Sequence, residues 1–504
     1  VTRRIWAFWT FLALALTVAT WLITIKRPFG AELHAWASAH MSLMARSFVE
    51  NGVFHLHGVP IQNNAPLSTQ PDRYIHWPPL FAILLSVAFR ILGDSAFTAH
   101  VFVFLLNLIY LGVIFKLAKL CFGKQAAILS MFGVATVPVF FQYNTLVWTV
   151  NAGVTAIMIA LYCLVRATEK ELNWQWVWGG MAAIVAGTLM SWEPILLGFV
   201  LLVIAALLKS KSAIRVAIAY AASGIATMLL ILLVYVTASP ELRADLWSTI
   251  AVRLGGNYSS STVPIHAIFD RMWYADHDWD RWTLVARSFY LIGPIALLAI
   301  AGLLLWTWEK RNEVKSTVFI LGGLLGVWLG WFLIFPNHVY VHDYQWLLAV
   351  PLAGIAVGVG LDAATPRLTG SLEWLTLAIV PAMLILPLAG NTSSAYDARN
   401  ARSPILDFAR EIQENTPPTA VVLSVSPSMV PVYYSDRHTL RYVEDDETLK
   451  LMNREVWQVF PGSEVYLAIT PVYSVRFPCA LANFPEVKRS PNLILLRVSP
   501  DSCR

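Results

Sequence analysis

Charge and cysteine are both scarce in this sequence. Lys, Arg, Asp and Glu make up 13% of its 504 residues, whereas 57% are hydrophobic, and the mean hydropathy is +0.60. So few charges cannot wet a soluble domain of this length, and apolar runs long enough to cross a bilayer recur throughout. The chain is therefore a polytopic integral membrane protein. Four cysteines exclude a disulfide scaffold. Cys121 and Cys163 fall in or near apolar runs; Cys479 and Cys503 lie in the C-terminal segment and can pair if that segment is extracytoplasmic. The net charge of +5 is spread over short turns instead of a patch, which argues against nucleic acid as a partner. No small-residue cleavage site follows the first apolar run, so VTRRIWAFWTFLALALTVATWLITIKRPFG reads as a retained span with Arg3 and Arg4 on the cytoplasmic side.

What is present is a series of twelve apolar segments: 5–25, 78–92, 96–115, 124–141, 145–165, 174–190, 193–208, 213–237, 284–305, 316–334, 345–361 and 373–390. The expected fold is a polytopic α-helical membrane protein with about 11–13 transmembrane helices over residues 1–390, and a small extracytoplasmic α/β domain over 391–504. Basic residues sit in alternating connections: Lys116, Lys119 and Lys124; Arg166 and Lys170; Lys209, Lys211 and Arg215; Lys310, Arg311 and Lys315; and Arg367. Those connections are assigned to the cytoplasm, with the N-terminus inside and the C-terminal domain outside. That orientation needs an odd number of crossings, and the basic pattern is given precedence over the count of twelve. In the C-terminal segment, Ser403-Pro404 opens a helix as N-cap and first turn, and VVLSV, VYLAI and NLILLRV are strand-like. That segment has neither a glycine-rich phosphate loop nor a metal cluster.

The long polar stretch from 30 to 80, which contains the outer loop 27–77, stands out between two spans. Trp36, Leu43, Met44 and Phe48 recur at helical spacing and predict an amphipathic helix on the bilayer surface, ending near Asn51-Gly52. The stretch supplies Glu32, His34, His40, Asp72, Arg73, Tyr74, His76 and Trp77; a second outer segment, FPNHVYVHDY, supplies His338, His342, Asp343 and Tyr344. A carboxylate base beside histidines and an arginine suits group transfer from a phosphate-linked donor, because a base must take the acceptor proton and a cation must neutralise the departing phosphate. Blander readings stand beside each residue. Glu32 follows a span end, where solvated acids are common; Asp72 and Arg73 also suit a turn or an ion pair; Trp77 also suits an interfacial anchor. Glu193 in SWEP is an ionisable group at a span end, hence a site candidate or else a cap or ion-pair member. His338 and His342 have zinc-ligand spacing without HExxH, and YADHDWD at 274–280 is an acidic loop; a divalent cation is left open and no cofactor is predicted.

Several motifs occur together in order: an acid soon after span one, MARSFVENG at 44–52, YIHWPPL at 74–80, Ile-Leu-Gly at 91–93 and HVYVHDYQWLLAVP at 338–351. In these the chain resembles the GT-C membrane glycosyltransferases, specifically the family-39-like group of protein mannosyltransferases and lipid A aminoarabinose transferases. The resemblance implies a polyprenyl-phosphate sugar donor, an outward-facing site and a first-loop carboxylate as base. Glu32 matches that base, Asp72 is the alternative acid, and His34, Arg73, His76, Trp77, Glu193, His338, His342 and Tyr344 become donor- or acceptor-binding candidates. Relatives carry Asp or Asp-Glu level with Ala37-Ser38, where this chain has no acid. The expectation is an inverting glycosyltransferase of the bacterial cytoplasmic membrane acting on a lipid, glycan or protein acceptor. A lipid or lipid-linked-sugar flippase and a non-catalytic protein of the same fold are the alternatives.

Overall fold

The computed structural model describes residues 2–30, 34–64, 72–169, 171–238, 281–309, 314–335, 338–339, 342–364, 375–400, 403–426, 428–440, 443 and 445–500. Glu32, Lys170, the 274–280 run, Lys310, Arg311, Arg367 and Cys503 lie outside the described residues.

Every predicted apolar segment is helical. The order is α1 (Thr2–Thr24), α2 (Ala35–Asn51), α3 (Leu80–Leu92), α4 (Ala96–Thr136), α5 (Pro138–Tyr143), α6 (Val150–Thr168), α7 (Trp174–Met190), α8 (Pro194–Leu207) and α9 (Lys211–Ala238). Then come α10 (Arg281–Leu291), α11 (Pro294–Glu309), α12 (Lys315–Ile334), a 3-10 turn (Asp343–Ala349), α13 (Val350–Ala364), a π turn (Leu375–Ile379) and α14 (Val380–Asn400). Among the described residues, 7 of these are long and apolar enough to cross a membrane, or 8 if the pair α10–α11 is one span bent by 101°. The other predicted segments are shorter helices, such as the 13-residue α3 and the 14-residue α8. The bend falls at Gly293, whose φ of 89° ends one helix, and Pro294, which starts the next. Likewise α4 is two helices broken at Gly123 (φ 86°), between the lysines assigned to a cytoplasmic turn.

The centre of the bundle is α6, with 83% of its most apolar window buried. The helices α4 and α13 approach until their backbones touch: a Cβ on Gly358 would lie 2.3 Å from the Ser130 nitrogen, and one on Gly133 2.5 Å from the Gly354 oxygen. Small residues at this spacing let membrane helices pack by close van der Waals contact where burial itself drives little.

At one end of the bundle sits a mixed five-stranded sheet. Its strands are β1 (Val421–Ser424), β2 (His438–Leu440), β3 (Val465–Ile469), β4 (Glu486–Arg489) and β5 (Ile494–Val498), in the order β2-β1-β3-β5-β4. β2, β1 and β3 are parallel, whereas β5 runs antiparallel to both its neighbours. The three apolar strands match the sequence reading; β2 and β4 were not expected, because a three-residue strand and the fully exposed Glu486–Arg489 carry no hydrophobic alternation. Helices α15 (Pro404–Asn415), α16 (Val430–Ser435), α17 (Asp446–Val459) and α18 (Pro478–Asn483) complete this unit. Cys479 is disulfide-bonded, and Cys121 and Cys163 are free. The proposed domain limit at 390/391 falls within α14.

Two local expectations are corrected. The helix α2 exists and stops at Gly52 (φ 80°), but it does not lie with a polar face in water: Ser38, His40, Ser42 and Ser47 are buried along with its apolar residues. Bundle helices and α16 cover it, so its serines and histidine become interior polar groups. Ser403 and Pro404 are the N-cap and first residue of α15, as expected, and only the capping bond differs: the Ser403 hydroxyl does not cap the helix but donates to the Gly30 carbonyl, 2.8 Å away.

Candidate functional site

The helix ends facing the sheet bring the two polar segments together. His34 precedes α2 in the left-handed region (φ 57°), a conformation that is uncommon for a residue with a side chain. Its ring is held at both nitrogens. The Trp36 indole N–H donates to Nδ1 at 3.2 Å, so Nε2 carries the proton and donates to Asp343 Oδ1 at 2.6 Å. The side chains of His34 and Asp343 are 18% and 29% exposed, so this pair faces an opening instead of a sealed core. Arg287 of α10 adds a positive charge within the field of Asp343.

Around this pair runs a continuous wall of rings. Tyr344 packs edge-on to His34 with centroids 5.2 Å apart and stacks with His342 at 5.2 Å. His342 lies 4.6 Å from His338 and 5.7 Å from Trp36. His338 meets Trp77 at 5.7 Å, Trp77 meets Trp148 at 6.0 Å, and Trp148 returns to Tyr344 at 6.0 Å. Tyr143 approaches His34 at 5.5 Å. His40 touches Tyr74 at 4.6 Å, and Tyr74 touches His76 at 5.0 Å. The His338–His342 spacing is a helical turn, closed by a His342 N–H to His338 carbonyl bond of 2.9 Å. Among the described residues, no three His, Cys, Asp or Glu side chains converge in metal-binding geometry.

The other candidates hold this wall from behind. Asp72 accepts from the Gln62 amide at 3.0 Å, and Gln62 in turn bonds His40 Nε2 at 2.8 Å; Asp72 also closes a turn, since its N–H donates to Asn63 and its carbonyl accepts from the Gln62 N–H. Arg73 directs its guanidinium to the Leu56 carbonyl, 3.4 Å away. The carbonyls of His76 and Trp77 accept from the Trp192 indole (2.9 Å) and the Tyr235 hydroxyl (2.7 Å), which fix this segment to α9 and the α7–α8 turn. Glu193 is fully buried. It accepts from the Ser191 hydroxyl, and among the described residues its other oxygen has no protein partner. It joins the wall only indirectly, through its neighbour Trp192. Thus His34, His76, Trp77, His338, His342 and Tyr344 come together, Asp72 supports them through Gln62, Arg73 and Glu193 stand apart, and Glu32 lies outside the described residues.

Sequence reasoning passed over Trp36, Gln62, Trp148 and Arg287 as site residues and did not select Asp343. Tryptophans at span ends read as interfacial anchors, and nothing in the spacing pairs Asp343 with a histidine more than 300 residues earlier. Beside the wall, a cavity of about 520 Å³ is lined by Val53, Phe54, Pro79, Leu189, Ile231 and Tyr235, among others. Tyr235, one of its lining residues, donates its hydroxyl to the Trp77 carbonyl.

Residues 76–239 match the family model described as dolichyl-phosphate-mannose-protein mannosyltransferase. No curated protein matches the chain significantly. Among solved structures, ArnT from Cupriavidus metallidurans bound to undecaprenyl phosphate is similar at 14% identity, with a TM-score of 0.63 over 97% of this chain and 98% of that one. The oligosaccharyltransferase of Archaeoglobus fulgidus tethered to an acceptor peptide is similar at 13% identity, with a TM-score of 0.58 over 91% of this chain and 69% of that one. The multi-pass bundle, the small mixed sheet at one end and these likenesses together give the chain the GT-C fold of membrane glycosyltransferases.

Proposed function

We propose that the protein transfers a sugar from a polyprenyl-phosphate-linked donor to a lipid, glycan or protein acceptor at the outer face of the cytoplasmic membrane. The observation that carries this reading is the meeting of His34 with Asp343 inside a ring-lined opening at the sheet-side helix ends. It is supported by the likeness to an ArnT structure bound to undecaprenyl phosphate. Aromatic faces suit a sugar ring, and the adjacent apolar cavity is of the size that ligand pockets commonly have. We assign that cavity to the first part of the polyprenyl chain.

The reaction is a single displacement. An acceptor oxygen or nitrogen attacks the anomeric carbon, the bond from that carbon to the phosphate oxygen breaks, and its electron pair leaves with the lipid phosphate. One displacement inverts the anomeric centre. Glu32 takes the acceptor proton, His338, His342 and Arg287 offset the charge on the departing phosphate, and Asp343 fixes His34 two residues from Glu32. The N-terminus is assigned to the cytoplasm and the sheet to the outer side, from the basic turns.

The test is reconstitution of the full chain with polyprenyl-phosphate-linked sugars extracted from native membranes, following release of lipid phosphate and label on an acceptor. Wild type should turn over, and Glu32→Gln should lose about 10²–10⁴-fold. Full activity in Glu32→Gln would remove Glu32 from its role. Transbilayer movement of the lipid-linked sugar without transfer would replace the whole reading by a flippase.

A further inference from the structure

The C-terminal unit touches the site-bearing stretch at three successive points. At its start, the Phe29 N–H donates to the Tyr434 hydroxyl oxygen at 2.9 Å, and the Ser403 hydroxyl donates to the Gly30 carbonyl at 2.8 Å. Gly30 has φ +122°, and a Cβ there would stand 3.0 Å from Leu406 and 3.1 Å from Ile405. Only glycine accepts both that backbone and that contact. In the middle of α2, the Arg46 guanidinium lies 4.2 Å over the Tyr433 ring, donates to the Tyr433 carbonyl at 3.0 Å and bonds Asp94. The Tyr433 hydroxyl donates to the same Asp94 at 2.8 Å. Burial works against the Arg46 charge, but Asp94, Tyr433 and Asp436 together outweigh it and hold the guanidinium above its ordinary pKa; burial and Asp94 raise the Tyr433 hydroxyl. Beyond α2, the Asn64 amide donates to the Val432 carbonyl at 2.9 Å, and His438 Nδ1 bonds the Asn64 carbonyl at 2.7 Å.

Between the first and third of these contacts lie His34, Trp36, His40 and Gln62, one side of the site. We infer that the C-terminal unit is a positioning element for the site, with Ser403 and Tyr434 setting where the chain enters α2 and Asn64 and His438 setting where it leaves. This rests on the proposed function and extends it, because it gives the sheet unit a part in donor binding that its covering position alone does not require. Two hydrogen bonds are a small share of what joins the unit to the bundle, since Leu406, Val430, Val432 and Tyr433 also enter the bundle's apolar core. Removing those bonds should therefore shift the stretch without detaching the unit. Ser403 has given up capping its own helix to make one of them.

The experiment uses the full chain in detergent micelles, with undecaprenyl phosphate alone as the probe, read by intrinsic tryptophan fluorescence alongside thermal unfolding. Ser403→Ala with Tyr434→Phe should weaken binding about tenfold, in keeping with the net worth of one or two hydrogen bonds, while the unfolding midpoint stays within a few degrees. Ser403→Thr, which keeps a hydroxyl, should retain most of the affinity. Unchanged affinity in the double variant would overturn the positioning role. So would a lowered midpoint with unchanged affinity in the protein that remains folded. Absence of binding by wild type would instead overturn the glycosyl-transfer reading on which the inference stands.

Discussion

At 191–194 and again at 342–344, an acid and an aromatic residue stand at the start of an apolar helical segment, as Trp192-Glu193 before α8 and as Asp343-Tyr344 before α13. The surroundings treat them oppositely. Glu193 is sealed beneath α6, where Gly153 leaves room: a Cβ at that position would fall 2.9 Å from Ser191 and 3.3 Å from the Glu193 carboxylate. Asp343 stays 29% exposed and is held by a histidine from the far end of the chain. An acid at the end of a membrane helix is therefore not by itself a site. What separates the two is whether the carboxylate is both reachable and oriented, and the neighbouring elements decide that.

The comparison can be broken most directly at Asp343. Asp343→Ala removes the charged partner of the His34 N–H, a bond of the kind worth about 1.5–3 kcal/mol. Transfer should fall roughly tenfold to a hundredfold, measured with the reconstituted protein, and a loss below twofold would remove the distinction from Glu193. Gly153→Val should act on folding instead. Overpacking the α6–turn contact should cost about 1–3 kcal/mol, read as a lower unfolding midpoint with the activity per folded molecule kept. Asp72→Asn should have a smaller effect, a few-fold on turnover, because an amide can still accept from Gln62 while the turn made by its backbone remains; a loss matching Asp343→Ala would return Asp72 to the chemistry. Glu193→Gln is expected to do least. It keeps an oxygen to accept from Ser191 and removes only the ionisable character of a group closed off from the candidate site, so turnover should stay within about twofold. A large loss there would mean that Glu193 reaches substrate.

The apolar helices and the three hydrophobic strands were legible because their periods and lengths are written locally. The break at Gly123 was legible in the basic turn around it, whereas the bend at Gly293-Pro294 was not, since 284–305 was taken as one continuous apolar segment. The edge strands β2 and β4 were not legible either, since β2 is too short and β4 too exposed to carry an alternating pattern. The burial of α2 was equally hidden. Ser38, Ser42 and Glu50 read as its polar face, and only the cover supplied by the bundle and α16 makes the two serines interior. Of the candidate site, His34, His76, His338, His342 and Trp77 were named together from the sequence, because polar residues crowding two segments of an apolar chain are conspicuous, and the fold brings them near one another. Asp343 was named with its segment but not singled out, since its significance lies in the ring that meets it.

By itself, the sequence determined that the chain crosses a membrane many times, roughly where its apolar helices lie, and which two polar segments stand at their ends. Hydrophobic burial and backbone hydrogen bonding in a bilayer are local requirements, and a linear pattern of side chains is enough to meet them. Tertiary structure alone decided that His34 meets Asp343, that Glu193 is shut away, and that the C-terminal unit grips both ends of the α2 stretch. Those outcomes depend on contacts between residues about 310 to 400 positions apart, which form only when the bundle and the sheet have packed and brought them within hydrogen-bonding distance.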